Sequence, residues 1–276
     1  MKYHFKKYIF IILALFLTSC ATNDFTKHRV AENFAIEHGF KRKLVKGGQF
    51  WFTTFQRMTS EKLPFVIYIE GDGEAFKHRY TISDDPTPKK IMMLELATMD
   101  QRRNVVYLAR PCQYTSMDVN NACNQTYWTD KRMSEDSVHA INEAIKTIAG
   151  YEPVDLIGFS GGGGIAVLVG ARNSQVRSIT TVAGNLDHAS FNKFHRVRPM
   201  VGSLNPIDYA KKIANIPQLH LSGGQDKVVP AFIADDFIKA VGTSRCVQRE
   251  IIANATHTKN WNKDWMYILA IPVKCK

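Results

Sequence analysis

Four consecutive glycines, residues 161–164, stand where an apolar, strand-like stretch passes into a helix-like one in the segment DLIGFSGGGGIAVLVG, residues 155–170. A glycine inside a helix gives up roughly 1 kcal/mol relative to alanine. A run of them therefore indicates a place where side chains would obstruct something that approaches the backbone. The candidates are a bound phosphate, another stretch of backbone and a reacting substrate.

Apolar runs and amphipathic stretches alternate along the chain after residue 40. We predict strands at 50–56, 64–70, 104–111, 154–160, 176–184, 217–224 and 246–254, the first two as neighbours. Helices are predicted at 88–100, 134–150, 164–172, 205–214, 230–242 and 261–272. Apolar strands that take turns with helices are typical of a mostly parallel sheet covered on both faces. The pattern therefore predicts an α/β fold with one domain over residues 41–276, in which long loops at 71–90 and 185–204 are candidates for the site.

The first twenty residues, MKYHFKKYIFIILALFLTSC, have the layout of a secretory signal, with a basic start, an apolar run at 8–17 and small residues. The apolar run is too short to span a bilayer comfortably. The ending Leu-Thr-Ser-Cys resembles the lipobox of bacterial lipoproteins, in which the cysteine is lipidated and begins the mature chain. This resemblance implies a signal peptide at 1–19, a lipid anchor at Cys20 and a tether at 20–40, with Ala21 favouring the outer membrane of the cell envelope, facing the periplasm. A plain cleaved signal near a cysteine is the alternative.

The four remaining cysteines suit an oxidising compartment. Three pairings are open, and proximity along the chain favours Cys112–Cys123 and Cys246–Cys275, with four free thiols as the alternative. Because no CxxC pair or closely spaced set of histidines occurs, we predict no metal site.

The chain is basic, with a formal net charge of +11. Residues 1–19 contain three lysines and no acidic residue, so their removal leaves +8. A positive surface is expected to favour adhesion to an anionic membrane. No basic run is interleaved with aromatic residues in the pattern of a nucleic-acid-binding protein, so we predict no nucleic-acid partner.

Two kinds of site match the glycine run. Residues 161–166 fit a loose G-x-G-x-x-A dinucleotide fingerprint, with Asp187 at the end of the next strand. Residues 158–162 fit G-x-S-x-G, a nucleophile elbow in which Ser160 projects from a strained turn between strand and helix. The fingerprint normally follows the first strand of its unit, whereas this run follows about the fifth, and soluble nicotinamide cofactors are not expected outside the cytoplasm. We therefore favour the elbow.

Two partners for a serine nucleophile follow it along the chain. Asp226 stands in a glycine turn after a predicted strand, and His257 lies 31 residues later, between the last strand and the last helix. A buried carboxylate at the first position can hold an imidazole in one tautomer, and the imidazole can take the serine proton. Asp187 is a rival acid, and a helix-capping role is the alternative for Asp226. The order Ser160, Asp226, His257 is that of the α/β-hydrolases.

Backbone N–H groups are predicted to hold the oxyanion. Gly161 is expected to donate from a helix N-terminus, which favours negative charge. The second donor is expected after the strand at 64–70, where the Asp72 N–H is favoured and the Gly71 N–H is the alternative. Because Glu70 and Asp72 are acidic, we expect both to point away from the oxyanion or to be paired by Lys77, Arg79 or Arg110.

Together these motifs resemble those of the α/β-hydrolase superfamily. The chain is most similar to exported proteobacterial hydrolases with an EGDG loop, an RPCQY strand end and a downstream YWT, here residues 70–73, 110–114 and 127–129. The resemblance covers roughly residues 45–276, although many relatives have His where this chain has Glu70. It implies a serine hydrolase that acts on an ester, thioester or amide of a small acyl substrate through an acyl-enzyme, without a cofactor. The alternative is a non-catalytic envelope lipoprotein that uses the scaffold as a binding module. The residues leave the substrate and the oligomeric state open.

Overall fold

The computed structural model describes residues 21–276 and contains one large sheet flanked by helices. The predicted signal peptide at 1–19 and Cys20 lie outside the described residues. The strands are β1 (Lys41–Gly47), β2 (Phe50–Met58), β3 (Phe65–Ile69), β4 (Phe76–His78), β5 (Thr81–Ile82), β6 (Asn104–Leu108), β7 (Val154–Phe159), β8 (Val176–Val182), β9 (Gln218–Gly223) and β10 (Val247–Ile252). The helices are α1 (Ala21–Glu37), α2 (Met92–Met99), α3 (Glu135–Ala149), α4 (Gly161–Gly170), α5 (His188–His195), α6 (Phe232–Val241) and α7 (Trp261–Ala270), with 3₁₀ helices at Gln125–Trp128 and Pro206–Ile213.

Eight strands form the main sheet in the order β1-β2-β6-β3-β7-β8-β9-β10. In this sheet, the β1–β2 and β2–β6 pairs are antiparallel, and the remaining five pairs are parallel. The prediction of an α/β fold with a mostly parallel sheet is confirmed. However, β2 and β3 are not neighbours, because β6 lies between them. Parallel strands need a crossover connection, and the chain returns through α2 to place β6 beside β3.

Each strand of the sheet centre contributes to two hydrophobic cores. In β3, Ile67 and Ile69 belong to the core that also contains α3, α4 and α6. Val66 and Tyr68 belong to the opposite core, which contains residues of α1, α2 and α7. Successive side chains of a strand point to opposite faces, so helices on both sides are needed to remove these apolar residues from water. This arrangement leaves the carboxyl ends of the parallel strands open at one edge of the sheet.

Part of the segment predicted as a tether packs onto the domain. In α1, Ala31 and Ala35 are fully buried in the same core as α2. The Lys27 ammonium lies 2.9 Å from a Glu74 carboxylate oxygen. No helix within residues 21–276 combines the length and the apolar character that a transmembrane span requires.

The two long loops contain short elements that periodicity did not predict. Loop 71–90 holds the β4–β5 hairpin, and loop 185–204 holds the eight-residue helix α5. Asp187 caps α5, because its carboxylate accepts from the N–H groups of Ala189 and Ser190. The stretch predicted as a helix at 205–214 is a 3₁₀ helix over Pro206–Ile213.

Candidate active site

Ser160 occupies a strained turn between β7 and α4. Its φ of 52° and ψ of −118° lie in a region that a residue with a side chain rarely adopts. The turn is held by backbone hydrogen bonds, since Ser160 N–H donates to the Val182 carbonyl at 2.9 Å and the Ser160 carbonyl accepts from Gly163 and Asn185. These hydrogen bonds hold the backbone of Ser160 in its strained conformation. The half-buried Ser160 lies at the carboxyl end of β7.

Close approach of the backbone explains the glycine run. A methyl group on Gly162 would overlap the carbonyl oxygens of Ile69 and Glu70, where the loop after β3 crosses the start of α4. On Gly163, a methyl group would lie 2.8 Å from the Cα of Gly184, which follows β8. The absence of side chains thus lets α4 pack directly against the two neighbouring strand ends.

The structure brings Ser160, His257 and Asp226 into one hydrogen-bonded chain. His257 Nε2 lies 3.1 Å from Ser160 Oγ, and His257 Nδ1 lies 2.9 Å from Asp226 Oδ2. The Asp226 carboxylate is fully buried and accepts from the N–H groups of Val228 and Val229 at 2.7 and 2.9 Å. An ionised carboxylate only accepts, so Nδ1 donates to it and Nε2 is left to accept from the serine hydroxyl.

The loop that carries His257 is fixed from two sides. Trp261, fully buried at the start of α7, donates its indole N–H to the His257 carbonyl at 3.1 Å. The Phe159 ring centroid lies 4.9 Å from that of His257. These contacts limit the orientations open to the imidazole and keep it facing Ser160.

Asp187, the rival acid, does not take part in this chain. Besides capping α5, its carboxylate accepts from the side-chain amide of Asn205 at 2.8 Å. No hydrogen bond joins Asp187 to His257 among residues 21–276. Asp226 is therefore the carboxylate that orients the imidazole.

Of the three N–H groups predicted as oxyanion donors, two are free to donate and one is not. The Gly71 N–H donates to Glu70 Oε1 at 2.8 Å, which corrects the alternative that gave the second donor to Gly71. Within residues 21–276, the N–H groups of Asp72 and Gly161 have no hydrogen-bond acceptor. The loop after β3 thus leaves Asp72, together with Gly161 at the N-terminus of α4, available to an anion.

Glu70 is a buried carboxyl beside this loop. Its Oε2 accepts from the Tyr107 hydroxyl at 2.8 Å. Burial raises the pKa of Glu70 from its ordinary value of 4.5 to about 7, against the opposing effects of the Gly71 and Tyr107 hydrogen bonds and of the Arg110 charge. Both of its oxygens are turned to these partners, as the sequence predicted for a carboxyl in this loop.

Asp72 is paired by two arginines. Its Oδ1 lies 3.4 Å from Nη1 of the buried Arg110, and its Oδ2 lies 3.3 Å from Nε of Arg132. Arg110 was a predicted partner, whereas Lys77 pairs with Asp84. Arg132 was missed, because 60 residues separate it from Asp72 and only its position shortly after the YWT segment could have drawn attention to it.

Both favoured disulfides are present. Cys112–Cys123 closes the segment after β6, and Cys246–Cys275 ties the start of β10 to the C-terminal segment. Within residues 21–276, no group of three or more His, Cys, Asp and Glu side chains is arranged to hold a metal ion.

Many solved structures share this architecture, although sequence comparison finds no related family or curated protein. No protein-family model matches the chain, and no curated protein matches it by sequence. An esterase from Pyrococcus furiosus superposes with a TM-score of 0.60 at 13% identity, over 84% of this chain and 91% of that one. A putative dienelactone hydrolase from Klebsiella pneumoniae gives 0.57 at 15% identity, over 83% and 96%. A bacterial membrane phospholipase A gives 0.58 at 15% identity, over 96% and 97%. The chain has the α/β-hydrolase fold, as predicted.

Proposed function

We propose that this protein is a serine hydrolase that cleaves a carboxylic ester, thioester or amide through a covalent acyl-enzyme. The observation that carries the proposal is the hydrogen-bonded chain from Ser160 through His257 to the buried Asp226, with distances of 3.1 and 2.9 Å. Three residues from separate loops meet at the carboxyl edge of the sheet in the geometry that nucleophilic catalysis needs. The strained backbone at Ser160 supports the same conclusion, because such strain concentrates at functional sites.

In the proposed reaction, Ser160 Oγ attacks the carbonyl carbon while His257 Nε2 takes the hydroxyl proton. Asp226 holds the imidazole in the required tautomer and stabilises the imidazolium. The N–H groups of Gly161 and Asp72, which have no acceptor within residues 21–276, donate to the tetrahedral oxyanion. His257 then gives its proton to the leaving group as the bond to that group breaks. Water next gives a proton to His257 Nε2 and attacks the acyl carbon, the bond to Ser160 Oγ breaks, and Oγ takes the proton back from His257. Each step uses side chains and backbone groups alone, so the proposal includes no cofactor.

The class of bond is supported by the proteins that share the fold. The names of those proteins describe an esterase, a putative dienelactone hydrolase and a phospholipase A. We therefore place esters first among the substrates of this chain, with thioesters and amides next.

Ser160→Ala tests the proposal. The variant is expected to lose turnover of short-chain 4-nitrophenyl esters and labelling by a fluorophosphonate probe, with an unchanged circular dichroism spectrum. Ser174→Ala, which alters an exposed serine in the loop before β8, is the matched control and should keep both. Turnover that survives in Ser160→Ala would assign the chemistry to another residue. A folded wild-type protein that neither turns over esters nor reacts with the probe would favour the non-catalytic binding module.

We also propose that the mature protein is held in the bacterial envelope by a lipid on Cys20. The basic and apolar start of the chain and its ending Leu-Thr-Ser-Cys support this, and two disulfides suit an oxidising compartment. Cells expressing the protein should incorporate labelled palmitate into it and retain it in the membrane fraction, whereas Cys20→Ala should abolish the label. Equal labelling of the two proteins would refute the anchor.

A further inference from the structure

The Arg132 guanidinium lies beside the proposed oxyanion loop, in a side chain that is 13% exposed. Its Nε is buried and lies 3.3 Å from Asp72 Oδ2. None of its three nitrogens has a hydrogen-bond partner within residues 21–276, and Nη1 and Nη2, unlike Nε, are not among the fully buried unpaired atoms. A guanidinium is a planar fork that binds carboxylates in a bidentate way, so two of its donors are available to a ligand.

Asp72 links this guanidinium to the nucleophile. A methyl group on Gly161 would lie 2.6 Å from Asp72 Cγ, so the carboxylate rests directly against the residue that follows Ser160. Arg132 is therefore one side chain away from the start of α4.

The local balance of charge leaves a surplus cation. Two guanidiniums, those of Arg110 and Arg132, share the single carboxylate of Asp72. Arg110 is buried and also donates to the Arg132 carbonyl, which makes it the inner, structural member of the pair. Burial raises the pKa of Glu70 to about 7, so this carboxyl offsets only part of the positive charge near pH 7.

Buried polar atoms without partners lie around the same place. The Oδ1 of Asn185 is buried with no hydrogen-bond partner within residues 21–276, and both ring nitrogens of His188 are buried near the backbone of Ser203 and Leu204. Burial lowers the pKa of His188, against the opposing effects of the Ser203 and Leu204 backbone and of the Asp187 charge, and the charge of Arg132 acts in the same direction as burial. Asn185 follows β8, and its N–H donates to the Ser160 carbonyl at 2.8 Å. Buried polar groups of this kind are normally satisfied, and a polar ligand would satisfy them.

The order of the strands indicates which part of a substrate faces Arg132. Asp72 follows β3 and Arg110 follows β6, both on one side of β7. Asp226 and His257 follow β9 and β10, on the other side. Because His257 protonates the leaving group, the leaving group lies on its side of Ser160, and the acyl part extends toward Arg132.

We propose that Arg132 binds a carboxylate at the far end of the acyl group, so that the preferred substrates are monoesters of dicarboxylic acids. This inference rests on the proposed function, since it assigns the acyl specificity of the same site. The guanidinium fork supplies two donors to the carboxylate, while Asp72 fixes the guanidinium from behind.

The test compares four esters with the wild-type protein and its variants. Mono-4-nitrophenyl adipate carries the charge on the acyl group, its methyl ester is the neutral counterpart of nearly the same length, and 4-acetoxybenzoate carries the charge on the leaving group. We expect kcat/KM for the adipate to exceed that for its methyl ester by about tenfold or more, as for a hydrogen bond between charged groups. No such preference is expected for 4-acetoxybenzoate over phenyl acetate. Added sodium chloride should reduce the adipate preference.

Arg132→Gln should abolish the adipate preference, and Arg132→Lys should keep part of it, because lysine retains the charge without the fork. Lys131→Gln removes an exposed neighbouring charge and is the matched control, which should keep the whole preference. The quantity measured is the ratio of kcat/KM for the adipate to that for its methyl ester. The inference is overturned if this ratio is near one in the wild type, if Arg132→Gln leaves it unchanged, or if Lys131→Gln lowers it as much as Arg132→Gln does. If esters are hydrolysed by the wild type and not by Ser160→Ala, these outcomes count against the role of Arg132 alone. If no ester is hydrolysed, the proposed function fails and the inference fails with it.

Discussion

Replacing Glu70 by Gln is expected to change how the stability of the protein depends on pH. The Glu70 carboxyl is buried, and its two oxygens accept from the Gly71 N–H and the Tyr107 hydroxyl, each at 2.8 Å. Glutamine keeps the size of the side chain and an oxygen for the Gly71 N–H, but it cannot ionise. The substitution therefore removes the buried charge and leaves the packing nearly unchanged.

The size of the effect follows from the pKa of this carboxyl. Burial raises the pKa of Glu70 from 4.5 to about 7, so the folded state holds the proton over a range of pH in which the unfolded chain has released it. At 1.36 kcal/mol for each pKa unit, ionisation of Glu70 costs the folded state about 3 kcal/mol. Below pH 4.5 both states are protonated and the cost is absent. It grows as the pH rises from 4.5 toward 7, and above 7 it is constant and fully present.

Urea unfolding of the wild type and of Glu70→Gln at intervals between pH 4.5 and 8.5 measures this cost. Other titrating groups contribute equally to both proteins, so the difference between the two free energies of unfolding isolates Glu70. We expect the stability of Glu70→Gln relative to the wild type to rise by about 3 kcal/mol between pH 4.5 and 8. Glu61→Gln, which removes an exposed carboxyl, reports the effect of the charge change alone. A difference between Glu70→Gln and wild type that is independent of pH would refute the reasoning.

Two further substitutions test the geometry of the site and of the glycine run. Asp226→Asn should lower kcat for an ester by about a thousandfold or more, because the imidazole loses its orienting carboxylate. Asp187→Asn should change kcat by only a few-fold, and the reverse ranking of the two rates would identify Asp187 as the acid instead. Gly162→Ala should lower the free energy of unfolding by roughly 2 kcal/mol or more, since its methyl group would overlap the carbonyls of Ile69 and Glu70. A melting temperature equal to that of the wild type would mean that the loop after β3 yields without strain.

Features that depend on neighbouring residues were predictable from the sequence. The helix α3 begins after Ser134, whose hydroxyl accepts from the Ser137 N–H, and ends at Gly150 with a φ of 60°. The apolar strands of the sheet centre and the elbow at Ser160 also lie where the pattern indicated. Residues spaced a few positions apart meet in any helix or strand, so their pattern carries the information by itself.

Short elements in the loops were not predictable in the same way. The eight-residue helix α5 is capped by Asp187, but its sequence has no clear apolar stripe, and the segment resembled an irregular loop. The edge strand β1, with the sequence KRKLVKG, is mostly basic and has few apolar residues, so its assignment depends on its antiparallel pairing with β2. In both segments, packing against the rest of the domain decides the conformation.

The sequence alone was sufficient to predict the α/β class, the position of the elbow and the candidates Asp226 and His257. Short-range periodicity indicates the strands and helices, and glycines and polar residues at the ends of the predicted strands indicate the site. Tertiary structure was needed to show that His257 bonds to Asp226 rather than Asp187, that β6 lies between β2 and β3, and that the Gly71 N–H is occupied by Glu70. It was also needed to bring Arg132 to Asp72, across 60 residues of chain. Such contacts form where loops from different strands meet at one edge of the sheet, and no local pattern records which loops those are.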